Sequence, residues 1–266
     1  MTAAPQTSAV PVVHTARVAL RHLAIPAEHG AWGFLFEPIA LALLVAPSLA
    51  GLAIAMAALA AFLARHPLRL AATDWLRRRR YPRTVVCERL AAAYVAVAIV
   101  AILLAIRLDG IRFLIPLAMA APLAFLQFIH DARNRGRATL PEMAGAVAMG
   151  SVAAAIAIAA GRSPLFASAL WCVALLRSIP AIIFVRAALG RNGRSAASAF
   201  HLAAVAASIV LWQMRLAPAI GMVATLLLLG RAVATSHVKT ARQIGMRELA
   251  YGATFVLLIG IGYRLM

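Results

Sequence analysis

Apolar positions along this chain gather into runs of about 20 residues, the length a helix needs to cross a bilayer. Nine such runs can be drawn, over 29–46, 49–65, 91–107, 112–130, 141–161, 165–187, 197–214, 217–236 and 247–264. The break between the first two is the stretch "APSLAG", where Pro47 and Gly51 predict a tight helical hairpin. The other breaks are equally short except 66–90, which opens "RHPLRLAATDWLRRRRYPRT". Pro67 is suited to the first turn of a helix there, with Leu68, Ala71, Ala72, Trp75 and Leu76 on one face and Arg69, Arg77 and Arg80 opposite. That pattern predicts an amphipathic helix on the membrane surface, with Asp74 paired to Arg78 one turn on.

The expected fold class is therefore all-α, a polytopic membrane bundle of about nine transmembrane spans. Residues 1–22 read as a flexible cytoplasmic tail, and 23–266 as a single transmembrane domain. Within "HTARVALRHLA", Val18 with Leu20 or Leu23 gives a short apolar stripe for the bilayer surface. Composition agrees: 64% of the 266 residues are apolar, 13% are charged and the mean hydropathy is +0.90, against about 45–50% apolar and about 25% charged in soluble domains. Small residues dominate "GLAIAMAALAAFLA" and "GAVAMGSVAAAIAIAAG", which lets helix backbones approach closely.

A net charge of +18 would suit a nucleic-acid binder, but that needs a basic soluble face and no soluble region of domain size exists. The positive charge instead reports topology. With the N-terminus inside, 20 of the 26 basic residues fall on the cytoplasmic side and five outside, which predicts N-in and C-out. The lipid bilayer and its anionic headgroups are then the default partners. Cys87 and Cys172 lie in no metal or redox spacing. The histidines lie at span ends without His-x-x-x-His spacing, so neither haem nor metal is expected and no cofactor is implied.

Two charges fall deep inside spans. Glu37 lies in "PAEHGAWGFLFEPIALALL" and Arg177 in the sixth run, at similar depth and of opposite sign. An ionisable side chain at helix centre costs about 2.5–3.5 kcal/mol on insertion scales, so the two are expected to face inward and pair. Around the predicted cytoplasmic ends lie Glu28, His29, Arg65, Arg69, Asp131, Arg133, Arg135 and Glu142. The arginines have the planar fork that grips phosphate. Arg65, Arg133 and Arg135 are expected to border one inner-facing cavity, with Glu28 and His29 at its rim. Glu142, one residue after Pro141, also suits the positive end of a helix.

The segments "IPAEHGAWGFLFEP", "RHPLRLAATDWLRRRR" and "HDARNRGRATLPEMAGA" resemble the YwiC-like family of bacterial integral membrane proteins, from about residue 24 onward. That resemblance implies a multi-pass protein of the bacterial inner membrane and carries no established activity. In layout the chain also resembles UbiA-type membrane prenyltransferases, with nine spans, an inner cavity and basic residues after the fourth span, where "HDARNRGR" stands. It departs from them where aspartate-rich motifs hold magnesium diphosphate: "RHPLRLAATDWLRRRR" has one aspartate and "RSIPAIIFVRAALGRNGR" has none. Three readings stay open. The first is a UbiA-like bundle whose cytoplasm-facing pocket binds an anionic lipid or isoprenoid phosphate. The others are a small-anion or proton-coupled transporter, and a non-catalytic partner of a respiratory or cofactor-assembly complex.

Overall fold

A computed structural model describes residues 20, 22–25, 29–234 and 240–266. Among these, nine helices of at least 15 residues follow one another: α1 (His29–Val45), α2 (Leu49–Leu76), α3 (Pro82–Asp109), α4 (Leu114–Ala132) and α5 (Thr139–Ala159), then α6 (Pro164–Ala188), α7 (Arg194–Gln213), α8 (Ile220–Ala234) and α9 (Ala241–Leu265). Seven are long and apolar enough to cross a membrane. The other two, α1 and α8, have 17 and 15 residues. At 1.5 Å per residue they reach roughly 26 and 22 Å, short of a hydrocarbon core of about 30 Å. The count of nine spans therefore holds only approximately. Most of the expected tail lies outside the described residues. The described turn beyond it is tied down, because the His22 carbonyl lies 3.0 Å from His66 Nε2 and the Ala24 carbonyl accepts from Tyr94 at 3.2 Å.

Among lipid tails there is no hydrophobic drive to bring helices together, so close packing of small side chains must do it. Accordingly α5, rich in alanine, sits at the centre against α1, α2, α4 and α6. Its Ala153, Ala155 and Ala157 are fully buried beside Ile54 of α2 and Leu170 of α6. A Cβ on Gly150 would lie 2.9 Å from the Trp171 ring of α6, and that indole donates to the Val147 carbonyl at 3.0 Å. By contrast α3 and α4 are mostly exposed, as lipid-facing helices should be. α9 closes the bundle against α1 and α8.

The stretch 66–90 differs from the expectation. Pro67 begins no separate helix; α2 runs through it to Leu76, and α3 starts at Pro82. The proline lacks the N–H that would reach the Leu63 carbonyl, but packing against α3 holds the helix together. Ala71, Ala72 and Asp74 are buried, whereas Trp75 and Leu76 are exposed. Asp74 also pairs elsewhere than expected. Arg78 lies beyond the helix end with φ of 52°, so it is off the helical face that would bring it over Asp74. The carboxylate instead accepts from Arg83 Nη2 at 2.8 Å and Thr84 Oγ1 at 2.7 Å, joining α2 to α3.

Asp74 is buried and Arg80–Glu88 is exposed, so the two contacts should differ in weight. Replacing Asp74 by Ala strands the buried Thr84 hydroxyl, at about 1–3 kcal/mol. Arg80→Ala removes a surface pair worth about 0–1 kcal/mol. Chemical unfolding in mixed micelles should rank them in that order, and equal losses would contradict the packing described.

Candidate functional site

Five side chains from five helices meet inside the bundle. Arg177 of α6, only 3% exposed, directs Nη1 to Glu248 Oε2 of α9 at 3.2 Å and Nη2 to Glu37 Oε1 of α1 at 3.4 Å. The same Nη2 donates to the Glu248 backbone carbonyl at 2.7 Å. On its other oxygen Glu248 accepts from Arg231 of α8. Arg231 also lies 3.2 Å from Nε2 of His201 on α7. His201 is 1% exposed and its Nδ1 lies 2.8 Å from the Ala197 carbonyl. A carbonyl only accepts, so Nδ1 carries the proton and Nε2 accepts from Arg231. The imidazole is thereby held neutral, beside two acidic side chains and two guanidiniums.

Local sequence makes room for this cluster. Gly252 of α9 lies under the Glu37 carboxylate, where a Cβ would fall 1.7 Å from Oε1. Only a residue without a side chain leaves that space. Pro38 and Pro180 stand beside the two charges and lack the N–H groups that would reach the carbonyls of Phe34 and Leu176. The Arg231 guanidinium lies 3.9 Å from the Phe184 ring centroid and 5.0 Å from that of Tyr251, contacts that favour a desolvated cation.

A cavity of about 520 Å³ opens beside this cluster, between α6, α7, α8 and α9. Alanines and Phe184 make much of its wall, and Arg194, Arg231, Arg247, Glu248 and Tyr251 add polar groups. Its volume is in the range of small-molecule sites, about 300–1,000 Å³. Arg231 and Glu248 belong to both cavity wall and cluster, so Arg177 stands one ion pair behind the cavity and Glu37 two. A separate crevice of about 10 Å³ is lined by Glu37, Arg177 and Ser178, among others. Arg177 Nε and Ser178 Oγ are buried without a hydrogen-bond partner among the described residues. The crevice is about the size that admits one water, and those groups are suitable partners for it.

The residues singled out in the sequence are distributed over separate places. Glu37 and Arg177 meet as expected of two opposite charges at one depth. Arg65 does not border the cavity; its Nε bonds Asp131 at 2.6 Å, joining α2 to α4. Arg69 is half-buried one turn further along α2, its carbonyl accepting from Thr73. Arg133 and Arg135 are exposed in the turn after α4 rather than gathered at a pocket, because the helix ends at Ala132 and the chain reverses there. Glu142 lies in the first turn of α5 and accepts from Arg186 at 3.0 Å. Glu28 and the His29 side chain lie outside the described residues. Sequence reading passed over Glu248, Arg231 and His201, and the cavity arginines 194 and 247. Among the described residues no three of His, Cys, Asp and Glu come together as metal ligands.

The family model for YwiC-like protein matches residues 25–157, half of the chain. No curated protein matches the sequence. The fold is similar to a solved digeranylgeranylglyceryl phosphate synthase of membranes, with a TM-score of 0.63 and 12% identity over 94% of this chain and 100% of that one. The matched structure makes the arrangement of helices UbiA-like. At that identity the likeness is one of fold.

Glu248 serves two buried guanidiniums and Glu37 serves one that has another partner. Glu248→Gln should therefore cost about 3–5 kcal/mol of stability, the range for breaking a buried ion pair. Glu37→Gln should cost clearly less, because Arg177 keeps Glu248. Thermal unfolding of the two variants in one detergent checks the order, and the reverse order would remove Glu248 from the centre of the cluster.

Proposed function

The chain belongs to the YwiC-like protein family, and from that footing we propose that it binds an anionic amphiphile, a lipid or isoprenoid phosphate, in the cavity between α6, α7, α8 and α9. The observation that carries the proposal is the cavity's make-up, an apolar wall with guanidiniums at one end. A hydrocarbon tail suits the alanines and Phe184. A phosphate suits Arg231, Arg194 and Arg247, since a guanidinium donates two parallel hydrogen bonds to it. The neighbouring fold belongs to a synthase whose named product is a glyceryl phosphate carrying isoprenoid chains, which supports the choice of a related class of ligand.

The cavity lies where α6 and α8 end and α7 and α9 begin. Arginine-rich turns after α2 and α4 lie at ends of the same parity in the chain. In our reading these ends face the cytoplasm of a bacterial cell, the bundle forms one membrane domain, and the basic turns meet anionic headgroups. With α1 and α8 both counted as spans the C-terminus is outside. Reporter fusions should then be cytoplasmic at residue 80 and external at residue 266; a cytoplasmic C-terminus would remove one of the two short spans from the topology.

Binding is tested with protein in phosphatidylcholine nanodiscs. Geranylgeranyl phosphate should bind, while geranylgeraniol and inorganic phosphate should each bind far more weakly, because each supplies half of the recognition. Arg247→Ala should weaken the phosphate ligand about tenfold, equivalent to about 1.4 kcal/mol. Equal binding of the alcohol, or no change in R247A, would contradict an anion site at that end of the cavity.

A further inference from the structure

The charge cluster behind the cavity has one member held less firmly than the rest. Glu37 meets Arg177 at 3.4 Å, near the outer limit of a hydrogen bond. Glu248 holds the same guanidinium at 3.2 Å through its carboxylate and at 2.7 Å through its carbonyl, and it also binds Arg231. The groups facing Glu37 are few. From α6 come Arg177 and Ser178, from α9 Glu248 and the bare backbone of Gly252, and from α5 the uncharged Ala146 and Gly150. α2 meets α1 through Phe62 against Trp32, which brings no charge to this place.

A phosphate seated against Arg231, with Arg194 and Arg247 beside it, draws on the guanidinium that otherwise answers Glu248, so Glu37 and Glu248 are left sharing Arg177, an excess of negative charge in the buried cluster. In a medium of low dielectric constant such an excess is costly, and protonating one acid relieves it. Glu248 holds Arg177 through both its carboxylate and its carbonyl, whereas Glu37 meets it through one longer contact, so Glu37 is the acid that yields. Its neutral form can reach a partner through the one water that the crevice admits. Ser178 Oγ, on a residue 8% exposed, lines the same crevice and has no hydrogen-bond partner among the described residues. We infer that Glu37 is a proton-binding site coupled to the cavity, taking up one proton from solution when an anionic headgroup binds at Arg231. The inference rests on the cavity reading above and adds a coupling to it. No bond other than O–H forms, and the proton returns to solution when the ligand leaves.

The sign follows from linkage: uptake of a proton on binding makes affinity rise as pH falls, by up to about tenfold per unit. The probe is geranylgeranyl methyl phosphate, a diester whose single charge does not titrate near neutrality. Calorimetry at one pH in buffers of different ionisation enthalpy counts the protons exchanged. Wild-type protein should take up about one proton per probe. Glu37→Gln, which carries the neutral state permanently, should take up none and bind the probe at least as tightly. Binding by the wild type without proton uptake, or undiminished uptake in E37Q, overturns the coupling while leaving the cavity reading intact. If the probe does not bind the wild type at all, the cavity reading falls and the coupling with it. Should E37Q fail to fold, infrared difference spectra of the wild type decide: a protonated carboxyl band appearing on binding supports the coupling, and its absence overturns it.

Discussion

Glu248 on α9 lies between two guanidiniums, Arg177 from α6 and Arg231 from α8, and the interior of the second half of the bundle is organised around that carboxylate. Desolvating so many charges is expensive, and attraction repays it only where geometry and further hydrogen bonds are good. The chain meets that condition with small features. Gly252 leaves space for Glu37, the Ala197 carbonyl fixes the tautomer of His201, and Phe184 and Tyr251 flank Arg231. The cluster thereby ties α1, α7 and α8 to α6 and α9 by polar contacts, where hydrophobic association cannot.

The opposite half of the molecule is held differently. There α2, α3 and α4 are joined by two acid–base contacts, Asp74 with Arg83 and Thr84, and Asp131 with Arg65. Each links neighbouring helices close to the arginine-rich turns. Carboxylates thus hold helices together in both halves, and the charged residues lining the cavity are Arg194, Arg231, Arg247 and Glu248. In our reading that balance favours an anion in the cavity, with Glu37 two ion pairs behind it.

Much of the helical order was legible from hydropathy, and the points of difference have physical causes. The runs 29–46 and 165–187 lie within a residue of α1 and α6, because turn-forming and polar residues stand close beyond their ends. α2 outruns its predicted span by eleven residues and α3 begins nine residues early. Polar sequence there signals the end of lipid, and a helix can continue beyond lipid when it packs on a neighbour. The same effect concealed Glu248, the centre of the charge cluster. Arg242, Arg247 and Glu248 lower the hydropathy of early α9, so the apolar run begins only at 247 and puts Glu248 at its very end. With the helix starting at Ala241, Glu248 is seven residues inside it, roughly 10 Å by helical rise. Arg231 stands near the end of the run 217–236, where it reads as one more basic residue of the cytoplasmic side. Glu37 and Arg177 were legible because apolar residues surround them on both sides, whereas pairing across five helices has no signature in linear spacing.

The most direct test of the account is an experimental structure of the protein taken from its own membrane without exchange of bound lipid. The account predicts elongated density in the cavity between α6, α7, α8 and α9, with its head against Arg231 and Arg247 and its tail along the alanine wall. A cavity holding only water, with a continuous polar path past Glu37 to the other side of the bundle, would contradict it.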